Sequence, residues 1–449
     1  MLDVRSDPRQ TARYERTLLA LAALFVGLNQ TTLVLAREGA WSSAWPVAVW
    51  AVCAGGLHFA FNRLLPHRDP VIMPLVMLLS GWGLVLVARL APPFAARQTV
   101  WLAVSAAAAG AMAVLPPGLR VLRRYRYTWL LVGLALLGAT LVFGVNPSGT
   151  EGAPRLWLGY RYIFFQPSEI LKLLLVIFLA SYLADKREII AAARVSLGRW
   201  QLPALPYLAP MLLMWGFCMV LLIWQRDLGA ASLFFLIFLA MLYASTGETY
   251  YVIAGLVLLA AAGLVGYLNF DLVRLRVDTW LNPWPEADSR AFQIVQSLIA
   301  VAAGGVLGQG VGQGAPIYVP VVHSDFVFAA IAEEWGLLGA LGVIACLAVL
   351  VVRSLRIAIM TSRTPFHSLL VAGIGVSIGI QSLLIMAGVL KLIPLTGVTL
   401  PFVSYGGSSL VSSFIMTGLV LRVSDPITNF KLRPVLPPQA TQPEMDSLP

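Results

Sequence analysis

Two ionisable residues lie three positions apart at the start of an apolar run. Glu169 and Lys172 belong to the stretch FFQPSEILKLLLVIFLA at 164–180, in which Pro167 and Ser168 are typical of a first helical turn. This spacing predicts that the carboxylate and the ammonium group share one helix face. Ionisable groups in membrane-spanning helices usually face an interior pathway. The pair therefore neutralises itself for burial, lines a polar cavity, or does both.

A polar stretch at 274–293, RLRVDTWLNPWPEADSRAFQ, interrupts an otherwise apolar chain. It holds three acids, three arginines, two tryptophans and two prolines. Such a composition is typical either of an ordinary solvated loop or of a place where charged groups meet a substrate.

Two other polar clusters have simpler interpretations. Arg226 and Asp227 fit turn chemistry, and Asp227 can also cap the helix that follows. His323, Ser324 and Asp325 are consecutive, so their side chains diverge and cannot by themselves form a catalytic triad.

The function of three further segments depends on what surrounds them in the fold. Glu333 and Glu334 fall inside an apolar run, so we expect at least one to face a polar interior. The glycine run 304–314 does not match a dinucleotide-binding motif, which leaves only a weak prediction of a backbone nest for a diphosphate. Prolines and glycines at 391–413 break any regular helix, and irregular backbone at membrane depth must line a cavity or be covered by protein.

The composition requires a membrane to surround these residues. The 449 residues are 59% hydrophobic and 12% charged, and the mean hydropathy is +0.82. The apolar runs are continuous, which favours helices over a barrel. Twelve spans are predicted. They lie near 17–36, 43–63, 71–90, 98–116, 125–145, 167–185, 206–224, 229–247, 250–268, 326–352, 367–388 and 404–424.

The net charge of +10 is explained by topology, so nucleic acid is not predicted as a partner. With both termini in the cytoplasm, most of the 31 basic residues fall in inner segments. The first apolar run is too long for a typical signal peptide and is predicted to be a helix. The three cysteines lie in apolar runs and predict neither a disulfide nor a metal site.

Six segments together resemble the SEDS family, the shape, elongation, division and sporulation proteins typified by RodA and FtsW. They are GAPRLWLG (152–159), FQPSEILKL (165–173), QRDLGAA (225–231), NPW…FQIVQSLIA (282–300), HSDFVFAAIAEEWGLLG (323–339) and PLTGVTLPFVSYGGSS (394–409). The resemblance implies an all-α, ten-helix polymerase core at 71–424 with a large extracellular loop at 269–325. Residues 1–70 then form a cytoplasmic segment and two added helices, and 425–449 form a disordered cytoplasmic tail.

The family's activity is implied in the same way. Its members are peptidoglycan glycosyltransferases of the bacterial cytoplasmic membrane that polymerise lipid II on the outer face, for elongation or division, and release undecaprenyl diphosphate. A class B penicillin-binding protein is the expected partner and crosslinks the product. The alternatives are a flippase for lipid-linked precursors, and an inactive scaffold for the transpeptidase.

The family's essential aspartate identifies two candidates for the general base. It stands four residues after the Asn or Asp that opens the NP motif, and a gapless alignment from Asn282 to Gln293 puts Glu286 there. Asp288 lies two residues later and is the alternative if the loop has slipped. Asp278 precedes the motif and is expected to stabilise the loop.

The resemblance also implies substrate-binding residues. Arg155, Lys172 and Lys391 are candidates to stabilise the departing diphosphate, with Glu169 holding Lys172. A divalent cation, Mg²⁺ or Mn²⁺, is an alternative, and no cofactor is required by the pattern. Trp157 is expected to stack on a sugar, although one extra residue separates it from Arg155 relative to the family. Gln293 completes the predicted set.

Overall fold

The computed structural model describes residues 7–36, 41–116, 119–147, 154–161, 163–192, 194–197, 200–203 and 205–425. This part of the chain is almost entirely helical, as predicted. The α-helices are α1 Pro8–Ala36, α2 Trp45–Leu64, α3 Ile72–Leu90, α4 Pro92–Val114, α5 Arg120–Arg124, α6 Arg126–Phe143, α7 Pro167–Ala192, α8 Leu205–Trp224, α9 Leu228–Thr246, α10 Thr249–Asn269, α11 Asp271–Leu281, α12 Phe292–Gly304, α13 Val327–Met360, α14 Pro365–Val389 and α15 Gly407–Ser424.

Two short antiparallel hairpins lie in connecting segments. Strands β1 (Leu158–Tyr160) and β2 (Ile163–Phe165) pair with Gly159 opposite Phe164. Strands β3 (Arg194–Leu197) and β4 (Trp200–Pro203) form the other hairpin. Single turns of 3₁₀ helix occupy Trp41–Ala44, Trp284–Glu286 and Pro316–Tyr318.

Each predicted span coincides with a helix, and ten of these helices are long and apolar enough to cross a membrane. Of the helices at the twelve predicted positions, α4 and α8 do not meet these criteria of length and hydropathy. The count of twelve spans therefore remains a prediction. The chain is a multi-pass membrane protein. Its core lies where α3, α7, α14 and α15 meet, because most residues of these helices are buried. In α10, by contrast, the buried residues are Gly255 and Gly266, and the apolar side chains point outward.

Hydrogen bonds and ion pairs group the helix ends into two faces. On one, Arg353 pairs with Asp69 at 2.7 Å and Arg422 donates to the Leu115 carbonyl at 2.8 Å. We call this the basic face; it comprises 65–71, 115–116, 119–126 and the carboxyl-terminal parts of α7 (as far as Lys186), α13 and α15. The opposite face comprises 144–147, 154–161, 163–166, 225–227, 270–326 and 390–406, and we call it the loop face. The prediction that the basic face is cytoplasmic follows from its arginines.

The first two helices pack against α3 and α13. The Trp50 indole donates to the Met77 carbonyl at 2.8 Å, and the Trp335 indole donates to Asn29 at 2.9 Å. A Cβ on Gly81 would meet Val26 and Trp50 at under 3.0 Å, so α1 and α2 approach α3 closely there.

The last described residue is packed into the basic face. Asp425, where the disordered tail was predicted to begin, is fully buried and accepts a hydrogen bond from the His67 amide at 3.3 Å. The rest of that predicted tail, 426–449, lies outside the described residues.

Candidate active site

Glu169 and Lys172 meet at the loop-face end of α7, as their spacing predicts. The Lys172 Nζ atom lies 2.7 Å from Glu169 Oε2, and the lysine side chain is only 1% exposed. The same Nζ donates to Gln381 Oε1 on α14 at 2.6 Å. The ammonium group is therefore held by two fixed acceptors inside the protein.

This polar chain continues through α14 to α15. Gln381 Nε2 donates to the Thr399 carbonyl at 2.8 Å, and the Thr399 hydroxyl lies 2.8 Å from that of Ser409. On α15, the Ser412 hydroxyl donates to the Glu169 carbonyl at 2.8 Å. Three helices and the irregular segment before α15 therefore share one buried network, which fixes the position of the Lys172 charge.

The segment 390–406 is irregular, as its prolines and glycines predict, and protein covers much of it. Leu400, Phe402 and Val403 are each no more than 2% exposed. Helix α3 lies against it so closely that a Cβ on Gly83 would come within 2.3 Å of the Val403 carbonyl oxygen. This contact satisfies the requirement that broken backbone at membrane depth be enclosed.

A second charged cluster joins α11 to the rest of the loop face. Arg276 on α11 donates to the Thr396 carbonyl at 3.3 Å. Burial lowers the pKa of Arg276, and the nearby carboxylates of Asp227 and Asp325 offset this lowering in part. Gly397 has φ of 73°, and a Cβ there would lie 3.8 Å from Asp325 Oδ2 and 3.9 Å from Arg276 Nη2. The left-handed backbone favours glycine at this position, and both charged side chains lie beside it.

Burial opposes charge in every member of this cluster. It raises the pKa of Asp227 and of Asp325, and it lowers the pKa of Arg276. Asp227 Oδ1 accepts from the Ala230 amide at 3.1 Å, which confirms the predicted cap of α9. Asp227 Oδ2 is buried with no hydrogen-bond partner among the described residues. Because a buried lone charge is costly, the arginine and the two acids depend on one another.

Glu286 lies at the surface of the loop between α11 and α12. Its carboxylate accepts from the Ser289 hydroxyl at 2.9 Å and from Arg290 Nε at 3.2 Å. These two partners lower the pKa of Glu286, so the side chain is ionised at neutral pH. An ionised carboxylate is the form a general base requires.

Asp288 and Gln293 are also exposed. Over the described ranges, no hydrogen bond or ion pair joins Glu286 or Asp288 to Lys172. The two candidate bases and the buried cation are thus separate features of the loop face. Their assigned roles remain predictions.

Lys391 is docked on the end of α11. Its carbonyl accepts from the Trp280 indole at 3.2 Å, and its Nζ donates to the Leu281 carbonyl at 3.4 Å. The residue has φ of 59°, the left-handed region that non-glycine residues adopt only under constraint. This cation therefore lies directly beside the loop that carries Glu286 and Asp288.

Arg155 and Trp157 precede the β1–β2 hairpin. The backbone of Trp157 pairs with Val145 in both directions, at 2.8 and 3.3 Å, which ties the segment to the end of α6. Trp157 is half-buried and Arg155 is exposed. Gly152 and Ala153, the first residues of this motif, lie outside the described part of the chain.

The glycine-rich loop fills a break in α13. Gly336 is non-helical, and the carbonyls of Glu333 and Glu334 accept instead from the amides of Gln309 at 2.9 Å and Gly310 at 3.0 Å. The Leu337 amide donates to the loop at 2.9 Å. The amides of Gln309 and Gly310 are therefore already bonded within the protein, and a diphosphate nest in this loop stays a prediction that would have to use its other amides.

The two adjacent glutamates have polar surroundings, as expected. Glu334 pairs with Arg89 of α3 at 3.0 Å, and Glu333 accepts from the Ala315 amide at 2.7 Å. Both carboxylates are buried, so these bonds lower the cost of placing acids in the helix.

The three consecutive residues do not form a triad, as predicted. The Ser324 hydroxyl donates to Asp325 at 2.9 Å, whereas the His323 ring lies 5.2 Å from Phe94 and 5.5 Å from Tyr405. Burial lowers the pKa of His323.

The side chains offer no preformed cage for a metal ion. The described ranges contain no group of three or more His, Cys, Asp and Glu residues placed to bind one. Magnesium is commonly held by one or two carboxylates together with substrate phosphates. Glu286 and Asp288 therefore fit a site in which the substrate phosphates supply the remaining ligands, and not a cage made by the protein alone.

The loop face as a whole combines an exposed acidic loop with cations fixed at its base. A model of the FtsW, RodA and SpoVE proteins, described as cell cycle protein, matches residues 69–428. The chain belongs to the FtsW/RodA/SpoVE family. The family resemblance predicted from the six sequence segments is therefore confirmed.

Relatives within the FtsW/RodA/SpoVE family include named enzymes. The chain is 38% identical over 380 residues to peptidoglycan glycosyltransferase RodA of Mycobacterium tuberculosis, covering 82% of this chain and 81% of that one. It is 34% identical to the Mycobacterium leprae protein of the same name over 433 residues, 93% of this chain and 92% of that one. A probable peptidoglycan glycosyltransferase FtsW of Geobacter sulfurreducens is 36% identical over 308 residues, 68% of this chain and 79% of that one.

Solved structures show the same fold. One chain comes from a study of how a peptidoglycan synthase complex coordinates polymerisation and crosslinking; it is 28% identical, with a TM-score of 0.66, covering 80% of this chain and 97% of that one. The crystal structure of the rod shape determining protein RodA of Thermus thermophilus is 25% identical, with a TM-score of 0.57, covering 80% and 96%.

Sequence reasoning missed several members of the site. Gln381 and Thr399 are ordinary polar residues in the sequence, and only the folded structure shows that Gln381 accepts from Lys172 while Thr399 accepts from Gln381. Arg276 was part of the polar stretch but was not distinguished from its neighbours. The available signal was helix phase, since Arg274 and Arg276 are two positions apart and so point to opposite sides of α11.

Proposed function

We propose that this protein is a peptidoglycan glycosyltransferase that polymerises lipid II at the outer face of the bacterial cytoplasmic membrane, by inversion at the anomeric carbon. The observation that carries the proposal is the 38% identity to a glycosyltransferase of this name over 82% of the chain. The multi-pass fold agrees, because a lipid-linked donor keeps its tail in the bilayer while its sugars meet the loop face.

The chemistry requires one base and one group of cations. The 4-hydroxyl of an acceptor GlcNAc forms a bond to the anomeric carbon of MurNAc, and the bond from that carbon to the diphosphate oxygen breaks. The hydroxyl proton passes to Glu286 or Asp288, and the electron pair leaves on undecaprenyl diphosphate. Glu286 is kept ionised by Ser289 and Arg290, whereas the described residues include no hydrogen-bond or ion-pair partner of the Asp288 carboxylate.

The leaving diphosphate needs positive charge near it. Lys172 supplies a fixed buried charge, with Glu169 and Gln381 setting its position. Arg155 and Lys391 lie on the same loop face and add to it. A divalent cation bound between the loop carboxylates and the diphosphate is the alternative source of charge.

The same proposal assigns the remaining predicted residues. Trp157 stacks on a sugar ring, and Gln293 contacts the substrate from the first turn of α12. A class B penicillin-binding protein is the proposed partner, and the structural neighbour from a peptidoglycan synthase complex supports a partner of this general kind.

The test is polymerisation of labelled lipid II by the purified full chain with its partner. Glu286→Gln and Asp288→Asn are made separately, and the variant that lacks the base is expected to lose about 10²–10⁴-fold in rate. Asp278→Asn is the matched control, since this exposed acid of α11 bonds only Tyr267, at 3.1 Å, and should keep the wild-type rate within about twofold.

Two results would contradict the proposal. If neither loop variant is slower than the control, the base lies elsewhere. If the wild type forms no glycan chains but moves lipid II across a bilayer, the protein is a flippase. Inactivity in both assays would favour a scaffold.

A further inference from the structure

The basic face carries a cavity that the proposed reaction does not use. Helix α5, the start of α6 and the end of α7 surround a space of about 440 Å³, and its lining consists of Arg120, Arg123, Arg124, Arg126, Tyr127 and Asp185. Four guanidinium groups thus face one carboxylate. The cavity is on the opposite face from Glu286 and Lys172, so it is not part of the candidate active site.

Two of the four arginines are fixed by α7. Arg123 donates to Asp185 Oδ1 at 2.6 Å, and Arg126 contacts the other oxygen of the same carboxylate. Arg126 also donates to the carbonyl and the hydroxyl of Ser181, each at 3.0 Å. These bonds give the cavity a rigid wall and occupy its only carboxylate.

The other two arginines have no acidic partner among the side chains that the structure describes, which leave out those of 187–192. Arg120 and Arg124 are exposed at opposite ends of α5. Arg124 lies over the Tyr125 ring, with 5.7 Å between its guanidinium carbon and the ring centroid. The positive charge that remains unbalanced therefore points into solvent and into the cavity.

The residues next to the cavity place it at the membrane surface. Tyr125 and Tyr127 are 48% and 47% exposed, and tyrosine is enriched at the membrane–water boundary. One turn further along α6, Leu131 and Val132 are 66% and 45% exposed. Cationic side chains, boundary aromatics and outward apolar side chains thus follow one another along a single helix.

We propose that this cavity binds the phosphate headgroup of an anionic glycerophospholipid. The acyl chains lie along the exposed face of α6 at Leu131 and Val132. The planar guanidinium group binds phosphate oxygens in pairs, which favours arginine at such sites. Basic pockets between helices on this side of a membrane are suited to lipid headgroups. A free phosphate would use the arginines but not the apolar strip beside them.

The test measures lipid binding directly. The full chain, purified in a non-ionic detergent, is titrated with phosphatidylglycerol or with phosphatidylcholine of the same acyl chains, and lipid adducts are counted by native mass spectrometry. We expect wild type to bind phosphatidylglycerol at least about tenfold more tightly, since only that headgroup carries a net charge. The double variant Arg120→Gln/Arg124→Gln should lose about 25-fold in affinity, because each basic side chain beside an anionic surface contributes about a factor of five.

Two further variants separate charge from folding. Arg120→Lys/Arg124→Lys keeps both charges and should retain most of the binding. Arg13→Gln/Arg16→Gln removes two exposed arginines from α1 instead, and should bind as wild type does.

Three outcomes would overturn the proposal. They are equal affinity of wild type and the glutamine variant for phosphatidylglycerol, equal affinity for the two lipids, and displacement of the lipid by inorganic phosphate at the same concentration. The last would identify a soluble phosphate ligand. None of these measurements uses polymerisation, so lipid binding can be tested even if the proposed enzyme activity is not found.

Discussion

The loop face places two kinds of charged group side by side. Lys172 is enclosed and Arg276 is half-buried, and each has defined acceptors within the protein. Glu286 and Asp288 are exposed, and the bonds of Glu286 reach only to Ser289 and Arg290 a few residues away. The enclosed groups hold their positions before substrate arrives, whereas the exposed acids depend on substrate to cover them.

The difference follows from the cost of burying charge. An ion in the protein interior must be paired and hydrogen-bonded, and its partners then fix its geometry. A surface carboxylate keeps its water and contributes little to stability. We therefore expect substitutions of the enclosed cations to affect folding first, and substitutions of the exposed acids to affect the reaction alone.

Arg276→Met should give the largest loss of stability, because it removes the cation that offsets the desolvation of the Asp227 and Asp325 carboxylates. The expected decrease in the free energy of unfolding is about 3–5 kcal/mol, measured by denaturant titration of the purified protein. Arg274→Met is the control on the same helix, since Arg274 is exposed and donates only to the Leu268 carbonyl. It should change the value by about 0.5 kcal/mol at most. Equal effects of the two variants would refute the contrast between buried and exposed cations.

Lys172→Met should destabilise the protein by a somewhat smaller amount, about 3 kcal/mol, because Glu169 keeps partial access to water. The double variant Glu169→Gln/Lys172→Met removes both charges and should recover part of that loss in the same titration. A double variant less stable than Lys172→Met would mean that the two residues do not compensate each other.

Arg290→Gln should have the smallest effect, a change in pH dependence. Ser289 and Arg290 lower the pKa of Glu286, so the folded carboxylate stays ionised to lower pH than an ordinary glutamate. If Glu286 is the base, the rate falls as pH drops through this lowered pKa. Losing Arg290 raises the pKa of Glu286, so the acid limb of the rate profile moves to higher pH.

Ser289→Ala provides the check on this shift, because it removes the other bond and should move the limb in the same direction. If Asp288 is the base, the limb stays in place in both variants. The profile therefore decides between the two candidates independently of their own substitution.

The sequence predicts the features that depend on local spacing. Runs of about 20 apolar residues locate the helices, and i, i+3 spacing predicts the contact of Glu169 with Lys172. The sequence predicts helix boundaries less well where the helical residues are polar. Helix α1 begins at Pro8 rather than near 17, and α11 was predicted only as part of an outer loop. Hydropathy cannot detect these segments because their side chains are charged.

Partners distant in the chain are a separate difficulty. Gln381 is 209 residues from Lys172, and Thr396 is 120 residues from Arg276. No local pattern specifies such pairs, since they depend on which helices pack together. The partners of Glu286 are local by contrast, since Ser289 and Arg290 follow it by three and four residues, and the sequence analysis did not single them out.

The break in α13 has a consequence for how the chain is made. The amides and carbonyls left open around Gly336 are bonded to residues 305–310, which precede α13 in the sequence. During synthesis these residues leave the ribosome first, so the partner for the broken turn already exists when α13 enters the membrane. A helix that could not satisfy its own backbone in lipid is thereby completed by a segment that was made before it.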